Sequence, residues 1–148
     1  MIVETQVTIN GSRAAVWAAI TDIENAAGFI SGIEKIEILE RPANGLVGLQ
    51  WRETRVLFGE PATADKRITE AVENEYYKTS AEDNGFLFLS TMSISGSDGG
   101  VTLSSAHETK PQSLVARLKS IPMFLFKGMI RKALLQDLTD IKVAVEKG

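Results

Sequence analysis

A single change in the period of the apolar residues, near Pro111, constrains this chain more than any other feature of it. Upstream, short runs alternate apolar and polar side chains, which is the signature of strands buried on one face. Downstream, apolar residues recur at helical spacing. Strand candidates are residues 33–38 (Ile33, Ile36, Ile38), 48–58, 62–72, 76–81, 86–94 and 101–109. Pro42-Ala43-Asn44-Gly45, Gly59-Glu60-Pro61, Asp83-Asn84-Gly85 and Gly96-Ser97-Asp98-Gly99-Gly100 punctuate them. Short strands with such turn chemistry between them predict an antiparallel meander. Ahead of it, Val3, Thr5, Val7 and Ile9 alternate with Glu4, Gln6 and Thr8 in a strand that Asn10-Gly11 ends. Ser12 is a good N-cap for a helix carrying Val16, Trp17 and Ile20, and Asp22 opens a second short helix that Gly28 stops. Both helices are too short to be stable without packing.

Beyond Pro111, Leu114, Leu118 and Ile121 fit one helical face, and Leu134, Leu138, Ile141 and Val145 continue one downstream. Pro122 breaks the element near Ser120-Ile121. A helix over 123–145 would span roughly 35 Å. The order is strand, two short helices, about six strands, one long helix. A curved antiparallel sheet of about seven strands wrapped on that helix buries both apolar faces, so the predicted class is α+β. Residues 1–148 are expected to form one domain.

Composition excludes more than it selects. The absence of cysteine removes disulfides, thiolate metal sites and cysteine nucleophiles, and the single histidine, His107, removes any site that needs two imidazoles. Sixteen basic against nineteen acidic residues give a net charge of −3, with no footprint for nucleic acid or an anionic membrane. No signal-peptide pattern opens the chain, and its most apolar stretch, 121–130, is far shorter than the roughly 20 residues of a membrane span. A cytoplasmic protein with no stable membrane insertion is the expectation. The acidic runs lack the alternating spacing of a calcium loop, and no phosphate loop or nucleophile elbow occurs. No metal or cofactor is expected.

Within the strand 48–58, Leu49, Trp51, Glu53, Arg55 and Leu57 share one face. Directing that face inward leaves Gln50 and Arg52 to solvent and places Glu53 and Arg55 inside, where two ionisable groups are costly unless paired or wetted. The opposite register, or a position near an open strand end, would return both to water. His107 shares a face with Val101, Leu103, Ser105 and Thr109 and is either a satisfied core residue or a proton carrier, its partner deciding which. Glu53, Arg55 and His107 are the catalytic candidates: Arg55 to hold a carboxylate or enolate, Glu53 or His107 to move a proton. Trp51, Phe86, Phe88, Met92 and Phe126 join them as candidate ligand-binding residues, with plain core packing the alternative for each. The apolar segment 121–126 follows the proline and is read as a mobile gate or as a helix face that is merely buried. Lys119, Lys127, Arg131 and Lys132 flank it.

Three stretches carry a resemblance: Ala15-Val16-Trp17-Ala18-Ala19-Ile20-Thr21-Asp22, then Gly48-Leu49-Gln50-Trp51-Arg52-Glu53-Thr54-Arg55, then Met129-Ile130-Arg131-Lys132-Ala133-Leu134 with Asp137-Leu138. In order and spacing the chain resembles the START-related SRPBCC superfamily of helix-grip proteins, in its polyketide cyclase/dehydrase-like branch. The resemblance covers essentially the whole chain. It implies a cavity between sheet and C-terminal helix for a small, mainly apolar molecule with a polar end, and it implies no particular reaction. Binding or carrying such a molecule is the leading expectation. A cyclase or dehydratase acting by general acid/base chemistry without metal is the alternative, and a protein-interaction module with a vestigial cavity is the third. An open cavity whose polar groups are dispersed or already satisfied favours the first, an open cavity with Glu53, Arg55 and His107 within reach of one another the second, and a cavity filled by side chains the third.

Overall fold

A computed structural model describes residues 1–57, 59–120 and 125–148, with the side chain of Leu57 outside that set. Strand β1 (Ile2–Ile9) leads through Ser12, whose side chain accepts from the Ala15 N–H, into α1 (Arg13–Thr21) and a 3-10 helix (Ile23–Gly28). Six strands follow: β2 (Lys35–Glu40), β3 (Gln50–Leu57), β4 (Glu60–Val72), β5 (Tyr76–Asp83), β6 (Phe86–Ser97) and β7 (Gly100–Pro111). The chain ends in α2 (Leu114–Lys119) and α3 (Lys127–Lys147). All seven strands form one antiparallel sheet in the order β1-β7-β6-β5-β4-β3-β2. This is the antiparallel sheet and long closing helix that the change of period predicts, in the helix-grip arrangement that the resemblance implies.

Departures from the predicted bounds have local causes. Pro61 does not interrupt pairing but sits second in β4, opposite Val56, because the start of a strand tolerates a missing N–H. Ile33 stays outside β2 yet is buried in the core. Asn84 and Gly85 both take positive φ, 49° and 81°, between the paired Asp83 and Phe86. That is the two-residue hairpin for which Asn-Gly is suited. The break expected near Ser120-Ile121, and the larger part of the segment 121–126 read as gate or buried face, fall on residues 121–124, outside the described residues. The last two residues of that segment, Leu125 and Phe126, are exposed rather than buried, and α2 ends with Ser120 as its C-cap.

The core lies at one end of the concave face. Ile9, Val16, Trp17, Ile20, Trp51, Ile68, Tyr77, Ile94, Leu103, Leu138 and Ile141 belong to one cluster, with Trp17 and Tyr77 edge-to-face at 6.2 Å. The Tyr77 hydroxyl donates to the Ile20 carbonyl (3.1 Å), satisfying an orphan acceptor at the end of α1. Its burial raises the phenol's pKa above the ordinary range. Helix α3 closes the curve. Lys142 donates to the Thr8 carbonyl (2.7 Å) and Arg131 to the Glu4 carbonyl (3.3 Å), covering the open edge of β1. Asp140 accepts from the Ser31 amide and hydroxyl, tying the helix to the loop before β2. Among the described residues no helix is long and apolar enough to cross a membrane.

Candidate functional site

Alternation along β3 directs Trp51 and Glu53 inward, and both are buried. A buried carboxylate demands partners, and Glu53 has three. Its Oε2 accepts from Arg55 Nε at 2.7 Å and from Lys66 Nζ at 2.9 Å, while Oε1 accepts from the Trp51 indole at 3.4 Å. Lys66 arrives from β4, where it lies opposite Trp51 in the ladder. The far side of the Arg55 guanidinium makes a two-pronged pair with Asp137 of α3, Nη1 to Oδ1 at 3.1 Å and Nη2 to Oδ2 at 2.7 Å. The chain Lys66–Glu53–Arg55–Asp137 therefore runs from β4 through β3 to the helix, two cations against two anions.

Burial alone would raise the Glu53 pKa; the charges of Lys66 and Arg55, with their hydrogen bonds, outweigh it and hold it at about 2. For Arg55, desolvation works against the charge, but bonds to Asp137 and Glu53 keep the guanidinium firmly protonated. Both side chains are spent on each other and on their neighbours. Gly32 makes room for this arrangement, since a Cβ there would stand 2.8 Å from Arg55 Nη1 and 3.2 Å from Asp137 Oδ1.

His107 lies farther round the concave face, on β7. Val3 of β1 and Ser90 of β6 flank it in the ladder, and Phe88 stacks on its ring at 6.3 Å between centroids. Burial lowers its pKa to about 4, assisted by Lys66 and Arg55 and opposed by Glu53, so the imidazole is neutral at pH 7. The fold thus brings Glu53 and Arg55 into contact and leaves His107 without a hydrogen bond to either.

Around His107 the inner surface is polar. Thr5, Ser105 and Thr109 lie on the same face, and neither they nor His107 has a side-chain hydrogen-bond partner among the described residues. Thr5 Oγ1 is wholly buried. Across from them Thr79 and Ser90 bond to each other. Phe86 is buried and stacks on half-buried Phe88 (6.1 Å), outside the main core cluster, whereas half-buried Met92 packs against that cluster. Trp51 belongs to the core outright. Phe126 precedes α3 and is 43% exposed. Over this part of the sheet α3 offers Ile130, Leu134 and Asp137, none fully buried, while Leu138 and Ile141 seal the core end. Two shallow recesses, about 330 Å³ with Glu4, Lys78, His107 and Glu108 among its lining and about 220 Å³ beside Asp22 and Arg41, include none of Thr5, Ser105, Thr109, Glu53, Arg55 or Lys66. Among the described residues no group of three or more His, Asp or Glu is placed to hold a metal ion.

Lys66 and Asp137 were not among the candidates from sequence, although each carries a signal. Lys66 interrupts the small inward series Ala62, Ala64, Ile68, and Asp137 falls on the apolar stripe of α3 three residues after Leu134.

The family described as polyketide cyclase / dehydrase and lipid transport matches the chain over residues 1–141. Among solved structures, one from Thermus thermophilus superposes with a TM-score of 0.82 at 14% identity, covering 99% of this chain and 98% of that one. A START superfamily protein from Mycobacterium smegmatis gives 0.81 at 17%, covering 99% and 97%. The Zhui aromatase/cyclase from Streptomyces sp. R1128 gives 0.77 at 19%, covering 99% and 94%. These identities speak for the fold alone. Among curated proteins none matches the sequence.

Proposed function

We propose that this chain, which belongs to the polyketide cyclase / dehydrase and lipid transport family, binds a small, mainly apolar molecule whose neutral polar end meets the concave face around His107. The observation that carries the reading is the set of inward donors and acceptors, Thr5, Ser105, His107 and Thr109, that have no side-chain hydrogen-bond partner among the described residues, the Thr5 hydroxyl alone of them being wholly buried. Buried polar groups without partners are costly, and a ligand or water that bonds to them relieves the cost. The polar end is neutral because the cations that would draw a carboxylate are already matched: Arg55 is held by Glu53 and Asp137, and Lys66 by Glu53. Phe88, Ile130 and Leu134 would surround the apolar body. The reading takes residues 1–148 as one START-like domain, supported by a single sheet in which β1 pairs with β7.

Calorimetric titration with a matched pair, 2-naphthol and 2-naphthoate, tests it. The phenol is expected to bind at least tenfold tighter, and His107→Ala to weaken it. Preference for the naphthoate would overturn the neutral-end assignment, and no heat with either would count against an open interior.

A cyclase or dehydratase reading is favoured by one observation, the neutral imidazole of His107 with its nitrogens uncommitted. A resemblance in fold to an aromatase/cyclase accompanies it. There His107 alone would move a proton, since Glu53 is locked as a carboxylate. Turnover of a bound poly-β-ketone that His107→Gln abolishes, with binding retained, would establish it over simple carriage.

A further inference from the structure

The net charge of −3 conceals an uneven distribution. Residues 113–136 contain Arg117, Lys119, Lys127, Arg131 and Lys132 and not one acidic residue, so this stretch carries +5 and the rest of the chain −8. Among the described residues none of the five cations forms an ion pair; Arg131 alone is engaged, with the Glu4 carbonyl.

The same stretch concentrates exposed apolar surface. Of thirteen large apolar side chains exposed among the described residues, seven lie within it, and Leu114, Val115, Leu118 and Leu125 are each more than 60% exposed. Helix α2 rests on the protein through Ala116, which lies under the Gly85 turn, and turns its three larger aliphatic residues to solvent. Ser120 and Leu125 are five residue steps apart, at most about 18 Å, so α2 and the first turns of α3 share one end of the molecule. Monomeric proteins seldom leave that much aliphatic surface together without a use for it.

We propose that α2 and the first turns of α3 form a peripheral docking surface for an anionic lipid bilayer. Two features favour a bilayer over an acidic protein. The cations are interleaved with the aliphatic residues, Arg117 and Lys119 beside Leu118, whereas protein interfaces deplete lysine from the apolar centre. Interleaving suits the boundary between headgroups and acyl chains, where aliphatic residues enter and lysines reach phosphates. The inference is independent of what the interior binds.

The test is flotation of the full chain with phosphatidylcholine vesicles and with vesicles containing 30 mol% phosphatidylserine, at low and at high salt. Binding is expected to the anionic vesicles only and to fall at high salt. Each lysine near an anionic surface is worth about fivefold in affinity, so Lys119→Gln with Lys127→Gln should weaken binding roughly 25-fold. The exposed control pair Lys35→Gln with Lys78→Gln removes the same charge from other parts of the sheet and should leave binding within about twofold. Leu118→Ser with Leu125→Ser should weaken binding without moving the thermal midpoint, because both residues are exposed. Equal partition to neutral and anionic vesicles, or none to either, overturns the proposal. So does equal loss in the control pair. Binding to soluble polyglutamate with no binding to vesicles would assign the surface to an acidic protein instead.

Discussion

Replacing Glu53 by Gln keeps the shape of the side chain and removes the anion that holds Lys66 and Arg55. The size of the effect follows from the pKa, which interactions in the fold lower from an ordinary 4.5 to about 2. A difference of that size corresponds to roughly 3 kcal/mol between the charged and neutral side chain. The variant should therefore be about 3 kcal/mol less stable at pH 7, near 10 °C in thermal midpoint for a chain of this length. The sign with pH is equally definite. A carboxylate with a depressed pKa contributes fully above its unfolded value, so the wild-type advantage should be complete above about pH 4.5 and fade as pH falls toward 2. Urea unfolding of both proteins from pH 7 to pH 2 measures the difference. Lys66→Met in the Glu53→Gln background should recover part of the loss, because it removes a cation left without its partner. A variant within 1 kcal/mol of wild type at pH 7, or a difference that persists unchanged at pH 2, would refute the claim that this network is a net stabilising unit.

Two further outcomes follow from the same geometry. The His107 ring should remain neutral well below pH 6, and as the chain's single histidine its C2 proton gives an unambiguous NMR titration midpoint near 4. The folded pKa lies below the unfolded 6.5, so wild type should lose up to roughly 3 kcal/mol as pH falls from about 6.5 to 4, a slope that His107→Gln should remove; a midpoint at 6 or above would contradict the burial. Gly32→Ala places a methyl against Arg55 Nη1 and should lower stability by about 1–3 kcal/mol through overpacking, with little further loss in an Asp137→Asn background; additive losses would show that the two sites do not share the ion pair.

The architecture was legible because periodicity reports which face of a strand or helix is apolar, and a curved sheet with one long helix satisfies all of those faces at once. The inward face of β3 was legible for the same reason: Leu49 and Trp51 oblige Glu53 to go with them. What periodicity cannot report is which residues of different elements meet. Lys66 reaches Glu53 only because the β3–β4 register sets Trp51 opposite Lys66, and that register follows from pairing across the Gly59 turn rather than from the composition of either strand. Asp137 reaches Arg55 because α3 crosses the sheet at a particular height, set by Leu138 and Ile141 in the core and by Lys142 and Asp140 at its sides. With the element order alone, Arg55 looks available to a ligand anion; with the crossing in place it does not.

That difference decides how the concave face should be read chemically. An interior that concentrates two cations, two anions and a histidine would ordinarily suggest acid–base catalysis. Here the charges cancel within a chain of direct hydrogen bonds, and the cost of burying them is met by one another, which fastens α3 to β3 and β4 across the mouth of the sheet. The groups left over are neutral: three hydroxyls and an imidazole that burial keeps unprotonated. The ionic network is then the clasp that positions the helix, and the uncharged set beside it is the surface with bonding capacity to spare. A ligand chosen by such a surface is selected for hydroxyl or carbonyl groups on an apolar frame. Opening the clasp with Asp137→Asn should release Arg55 and shift the preference toward an anionic ligand, a change that a merely structural ion pair remote from the binding surface would not produce.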